Sequence, residues 1–216
     1  PAERALQNYG FDSAWQGIIS ENISQVLNVS LKASQPELVL SSVTLENRIN
    51  EMEFYFPIHP VSPPKLQSNF KQHDTINGIG EFQRQIKKLV FRPTTGLMKG
   101  SIDMVFKDHN NYYLLDWKSN YLVSEIENYH PEALGDVLRE NYYDLQYHLY
   151  ALALTQYLRL GNPDFQYESN FGGVFYIFIR GVNSRHGPQF GIFHDLPQPA
   201  LMNALGKALI PGYSKV

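Results

Sequence analysis

Gly96–Tyr121 reads GLMKGSIDMVFKDHNNYYLLDWKSNY. Two runs of apolar and aromatic residues flank an Asp-His-Asn-Asn cluster at 108–111, a turn signal. The segment is therefore expected to form a β-hairpin. Asp103 falls on its first strand, Asp116 and Lys118 on its second. Side chains alternate along a strand, so Asp116 and Lys118 point the same way, and pairing the strands can bring Asp103 to that patch. Two carboxylates and an ammonium are costly to bury together unless something compensates, and a divalent cation would.

Outward from the hairpin, the chain breaks into recognisable elements. Asp12-Ser13 offers a helix cap, and Trp15, Ile18, Ile19, Ile23, Val26 and Leu27 recur at helical spacing, which predicts an amphipathic helix over 13–29 that packs or docks. Residues 1–11 are expected to fray and 30–48 to be irregular. Glu51–Ile58 alternates, with Met52, Phe54 and Phe56 on one side and Glu51, Glu53 and Tyr55 on the other. That is a half-buried strand ended by prolines. Its glutamates either form a solvent edge or approach the acids of the hairpin. Pro63-Pro64 opens a short helix with Leu66 and Phe70 on one side. A loop at Ser119–Pro131 leads to a short helix over Pro131–Leu138.

A long helix is expected over Glu140–Leu160, stopped by Gly161-Asn162-Pro163, with a Leu145, Leu149, Leu152 stripe and with Gln146 and Tyr150 on a neighbouring face. Phe171–Gly181 reads as a buried central strand, Phe190–His194 as a short strand, and Pro197–Ile210 as a terminal helix. The fold class is α/β: a mixed central sheet flanked by helices. An N-terminal helical segment over 1–48 is expected to precede the main domain at 49–216.

The 216 residues suffice for a core, and an aromatic content of 13% argues against disorder. No apolar run reaches the length of a membrane span, and no secretory leader is recognised. The chain begins with Pro rather than Met, so an excised piece of something longer is expected. Cysteine is absent, which excludes disulfides and thiolate metal sites. The net charge of −3 is unusual for a nucleic-acid binder. Its distribution is uneven, however. Arg84, Lys87, Lys88, Arg92 and Lys99 precede the hairpin, and Glu125, Glu127, Glu132, Asp136, Glu140 and Asp144 follow it. The basic segment could hold a polyanion near the acids, or be a solvated surface. No histidine pair shows ligand spacing, and no phosphate-loop motif is found.

Asp103, a twelve-residue gap and Asp116-x-Lys118 resemble the signature of the PD-(D/E)xK nuclease superfamily. With G-x-x-K-G-x-I-D-x-V-F, Y-Y-L-L-D-W-K-S-N, Y-D-L-Q-Y-x-L-Y and F-G-G-V-x-Y-x-F-x-R-G, the chain is similar to the C-terminal nuclease domains of the RecB family. The resemblance implies a restriction-endonuclease-like core and metal-dependent DNA hydrolysis in break repair and recombination. It implies Mg²⁺ as cofactor, with Mn²⁺ or Ca²⁺ able to substitute in binding, and a cytoplasmic bacterial setting. The implied partners are single DNA strands released by a helicase and the RecC and RecD subunits. By the same resemblance Asp103 and Asp116 are metal-binding acids, Lys118 is the catalytic lysine, and Trp117 lends a backbone carbonyl to the ion. Gln146 and Tyr150 match a motif that meets the phosphate backbone, and Glu51 matches an accessory acid.

One departure stands out. The family has a metal-binding histidine on a helix before these strands, and neither His59 nor His73 stands in that context. A chain starting downstream of that helix is the expected reason. The alternative reading is a non-catalytic docking module of a helicase–nuclease complex, inactive by itself.

Overall fold

The computed structural model describes residues 2–73, 88 and 95–213. Its frame is a five-stranded mixed sheet. In order across the sheet the strands are β3 (Arg48–Ile58), β4 (Gly96–Asp108), β5 (Asn111–Lys118), β6 (Phe171–Phe178) and β7 (Ile192–Asp195). Only the β5–β6 pair is parallel. The expected hairpin is β4–β5, closed by a turn at 109–110 with His109 at φ 51°. A parallel partner needs a long crossover, and residues 119–170 supply it. They carry α4 (Pro131–Glu140), α5 (Tyr143–Gly161) and α6 (Tyr167–Asn170).

Both faces of the sheet are covered, which is why β5 and β6 are apolar runs rather than alternating ones. On one face Leu114, Val174, Tyr176 and Phe178 pack with α3 (Pro63–His73), α4, α5 and the terminal α7 (Pro199–Leu209). Leu66 and Phe70 of α3 lie in this core, as their spacing predicted. On the other face Tyr113, Leu115, Phe175 and Ile177 meet a smaller layer built from the N-terminal 43 residues.

That smaller layer corrects two expectations. Residues 1–11 include a helix, α1 (Ala2–Asn8), anchored by buried Leu6. Residues 30–48 are not irregular throughout, because β1 (Ser30–Lys32) and β2 (Gln35–Val39) form a hairpin that buries Leu31, Leu38 and Leu40 against the sheet. Each strand is too short to show a period, so pattern alone could not reveal them. Lys32 pins the hairpin down, donating to the Gly172 carbonyl at 3.1 Å.

The helix predicted over 13–29 is there as a 3₁₀ turn followed by α2 (Gln16–Asn28). Asp12 caps it, accepting the Ala14 N–H at 2.8 Å. It packs lightly. Val26 is buried, while Trp15, Ile18 and Ile23 are about half exposed.

The long helix begins later than its pattern suggested. Tyr142 adopts φ 56°, and this left-handed residue separates α4 from α5. The buried stripe of α5 is Tyr147, Ala151, Leu154, Thr155 and Leu158, joined by Leu152, whereas Leu145 and Leu149 are only partly buried. The basic stretch read around Arg84, Lys87 and Arg92 lies outside the described residues. Of its neighbours, Lys88 is exposed and Lys99 pairs with Glu53 at 3.2 Å. Among the described residues no helix is long and apolar enough to cross a membrane.

Candidate active site

The alternation of faces slips beside Asp103. Residues two apart on a strand normally share a face. Ile102 nevertheless packs in the core on the helix-rich face, while Met104 packs in the opposite one. The step falls at Asp103. Across the ladder Asn50 faces Met104 and Met52 faces Ile102, so Glu51 stands beside that step, with a left-handed backbone at φ 52°. On its other side β4 parts from β5. Their pairing ends at Met104↔Leu115. The Asp103 carboxylate fills the fork, with Oδ2 accepting the Trp117 N–H at 2.8 Å.

Asp116 comes next on β5, held flat in the sheet by its parallel partner Tyr176. It is 4% exposed and forms an ion pair with Lys118, itself 8% exposed. Burial pushes the Asp116 carboxyl above its usual range. Lys118 opposes that shift, and the nearby Asp103 and Glu51 charges add to it. Asp116 and Lys118 thus pair on β5, with Asp103 close enough for its charge to be felt by Asp116. Glu51 lies near enough to be felt by Asp116, though its own carboxylate meets Ser101 Oγ at 3.4 Å and is exposed.

Gln146 and Tyr150, one turn apart on α5, reach the same place. Gln146 Oε1 accepts from Lys118 Nζ at 3.1 Å and from the Tyr176 hydroxyl at 2.8 Å, while its Nε2 donates to the Tyr150 hydroxyl at 3.0 Å. Two rings complete a box around the ammonium: Lys118 Nζ lies 3.9 Å from the Tyr143 ring centre and 4.6 Å from that of Tyr176. Burial, then Asp116, raises the hydroxyl pKa of both Tyr150 and Tyr176, so each stays protonated at neutral pH. The pattern of the sequence did not single out Tyr176 or assign Tyr143 to Lys118. The signal for Tyr176 was a lone hydroxyl inside the apolar run FGGVFYIF.

Trp117 faces away. Its ring lies with the smaller layer, beside Ile19, Ile23 and Val26 of α2 and Ile179, in a groove of about 520 Å³. Its backbone stays at the fork. Among the described residues no histidine joins the acids in a metal-holding group. His59 is exposed just after β3, and its N–H bonds the Leu209 carbonyl at 2.7 Å. His148 is buried in α5, with Nδ1 2.6 Å from the Asp144 carbonyl.

Among the described residues no group of three or more His, Asp or Glu side chains gathers so as to hold a metal ion. Two carboxylates are nevertheless the donor number and type that a hard cation such as Mg²⁺ takes from protein, with water and phosphate supplying the rest. Both carboxylates lie at the fork, Asp103 against the Trp117 N–H and Asp116 paired with Lys118. The residues fit such an ion.

No family model matches the chain. Curated relatives do. It is 39% identical over 198 residues to RecBCD enzyme subunit RecB of Escherichia coli strain K12, which covers 91% of this chain and 16% of that protein. Its identity to the RecB subunit of Buchnera aphidicola subsp. Schizaphis graminum is 34% over 206 residues, and to that of Haemophilus influenzae 32% over 204 residues. In each case the chain spans 16% of the relative. Over nine-tenths of its own length, the chain is therefore a homologue of one stretch of the RecB subunits of RecBCD enzymes.

Proposed function

We propose that this chain is a nuclease unit that hydrolyses DNA phosphodiesters with a divalent cation. The observation that carries the reading is the convergence at the fork of β4 and β5, where Asp103, Asp116 and Lys118 meet beside Gln146 and Tyr150. The homology to RecB supports it.

Asp103 and Asp116 would hold the ion, and the Trp117 carbonyl would add a third oxygen. When bound, the ion supplies a polarised phosphate and a water of lowered pKa. The chain's own groups do the rest. The Lys118 ammonium, paired with Asp116, neutralises charge growing on the phosphoryl oxygens, or orients the attacking water. Gln146 fixes Lys118, because its carbonyl faces the ammonium and its amide is committed to Tyr150. Tyr150 presents a protonated hydroxyl toward the strand's backbone. Nothing in this set reads bases, so the site acts on strands without sequence preference. Within a RecBCD-type assembly in the bacterial cytoplasm, the strands would come from a helicase, and RecC and RecD would be neighbours.

The test is incubation of the chain with single-stranded DNA and Mg²⁺ or Mn²⁺ beside Asp116→Ala. Cleavage by the first and not the second supports the reading. Equal cleavage by both overturns it.

A second reading has its own observation. Trp15, Ile18 and Ile23 leave α2 with an exposed apolar side, as a docking element would. On this reading the isolated chain binds a partner and cuts nothing. Absence of cleavage with either ion, by a chain that remains folded, favours it.

A further inference from the structure

The contacts of α5 do not stop at Tyr150. Gln146, Tyr150, Leu154 and Leu158 recur every four residues, so they line one side of the helix, and Tyr157 lies next to that line. Leu154, Leu158 and Tyr157 form one wall of a second groove, about 320 Å³, whose other wall is the end of the sheet next to the β4–β5 turn: Arg48 and Ile49 of β3, Lys107 of β4 and Tyr112 of β5. From Tyr150 to Tyr157 the helix rises roughly 10 Å, the span of one to two nucleotides of an extended strand. Along β3, Arg48 is three residues from Glu51 at the fork. The groove therefore lies a few residues along β3 and β4 from the fork.

Its chemistry suits a polyanion with flat bases. Among the described residues the Arg48 Nε is buried without a hydrogen-bond partner, although the residue lines an open groove. Lys107 Nζ stands 5.4 Å from the Tyr112 ring centre. Tyr157 is 50% exposed, and Ile49, which bridges groove and fork, is 43% exposed. Glu46 is the single acid of the lining, against two cations. A guanidinium with an unused donor, an ammonium and a half-exposed tyrosine around one groove are the parts of a single-strand track.

We infer that this groove is a second contact for single-stranded nucleic acid, with Arg48 and Lys107 holding phosphates of the nucleotides next to the cleaved bond and Tyr157 stacking a base. The inference rests on the nuclease reading of the fork, but its test does not need cleavage. Fluorescence anisotropy of a labelled twelve-nucleotide oligothymidylate is measured with the whole chain in EDTA, over a range of salt. The Arg48→Ala, Lys107→Ala double variant is expected to bind at least fivefold more weakly. Two lost phosphate contacts should lower the slope of log K against log salt by about 1.4. Tyr157→Ser should weaken binding by a similar factor and leave the slope unchanged. Unchanged affinity and slope in the double variant, with its thermal midpoint intact, overturns the track. So does a wild-type chain that fails to bind the strand. A chain that binds through these residues but never cuts keeps the track and removes the nuclease reading.

Discussion

Asp116 is a carboxylate that the fold holds against its preference, since burial raises its pKa and only Lys118 offsets the shift. The sign of the consequence follows from proton linkage. A raised acid binds its proton more tightly when folded, so in EDTA its contribution to stability falls as pH rises through the raised pKa. Relative to Asp116→Asn, the urea midpoint in EDTA should therefore decline from acid toward neutral pH. Metal acts in the opposite direction, because it needs the ionised form. The gain in thermal midpoint on adding Mg²⁺ should grow as pH rises through the same range. At tenfold excess over Kd the stabilisation should reach about 1.4 kcal/mol, and it should vanish in Asp116→Ala.

Tyr176→Phe tests the box around Lys118. It keeps the ring and removes one hydrogen bond to Gln146, so the expected loss of stability is about 1 kcal/mol. Cleavage should fall several-fold, because the amide loses its anchor. A variant with wild-type rates would show that Lys118 needs no such anchor. Asp103, Asp116 and Lys118 were legible as a trio from spacing and resemblance. Tyr176 was not, because a tyrosine within an apolar strand reads as core until its neighbour across the parallel ladder is known.

Among the elements, those that carried their own period were readable: the β4–β5 hairpin, the apolar β6 and the terminal α7. Elements that exist only through tertiary contact were not. β1 and β2 are too short to alternate, and they hold together because Leu31 and Leu38 find the far face of the sheet. The break at Tyr142 was hidden for a different reason: a left-handed tyrosine leaves no mark in a helix-rich composition.

The seam between β6 and β7 offers a sharper test. Gly191 has φ +74°, and a Cβ there would meet the Gly181 carbonyl carbon and the Val182 nitrogen at 2.7 Å. Both are backbone atoms, so neither can swing away. Gly191→Ala should lose about 1–3 kcal/mol from the backbone conformation alone, and more from the clash, measured as a drop in the denaturant midpoint. A change under half a kcal/mol would mean that this loop repacks freely.

At the scale of the whole molecule, the two faces of the sheet have different duties. The helix-rich face carries Asp116, the lysine box and the groove beside α5. The opposite face carries α1, α2 and the small hairpin, with Trp117 reaching into it from the same strand. Trp15 and Ile18 on α2 should therefore contribute little to folding. Trp15→Ser is expected to shift stability by less than about 0.5 kcal/mol, whereas Val26→Ala, inside the layer, should cost more. Equal losses would show that the exposed side of α2 is part of the core after all.

The fork between β4 and β5 has a practical corollary. One amide proton, that of Trp117, is held by a side chain rather than by a neighbouring strand. Any cation that draws the Asp103 carboxylate toward itself must loosen that proton's tether. In a ¹⁵N-labelled sample the Trp117 backbone resonance should then move, and exchange faster with solvent, as Mg²⁺ is titrated in. The molecule thus carries an intrinsic gauge of occupancy at its acids, readable before any strand is cut.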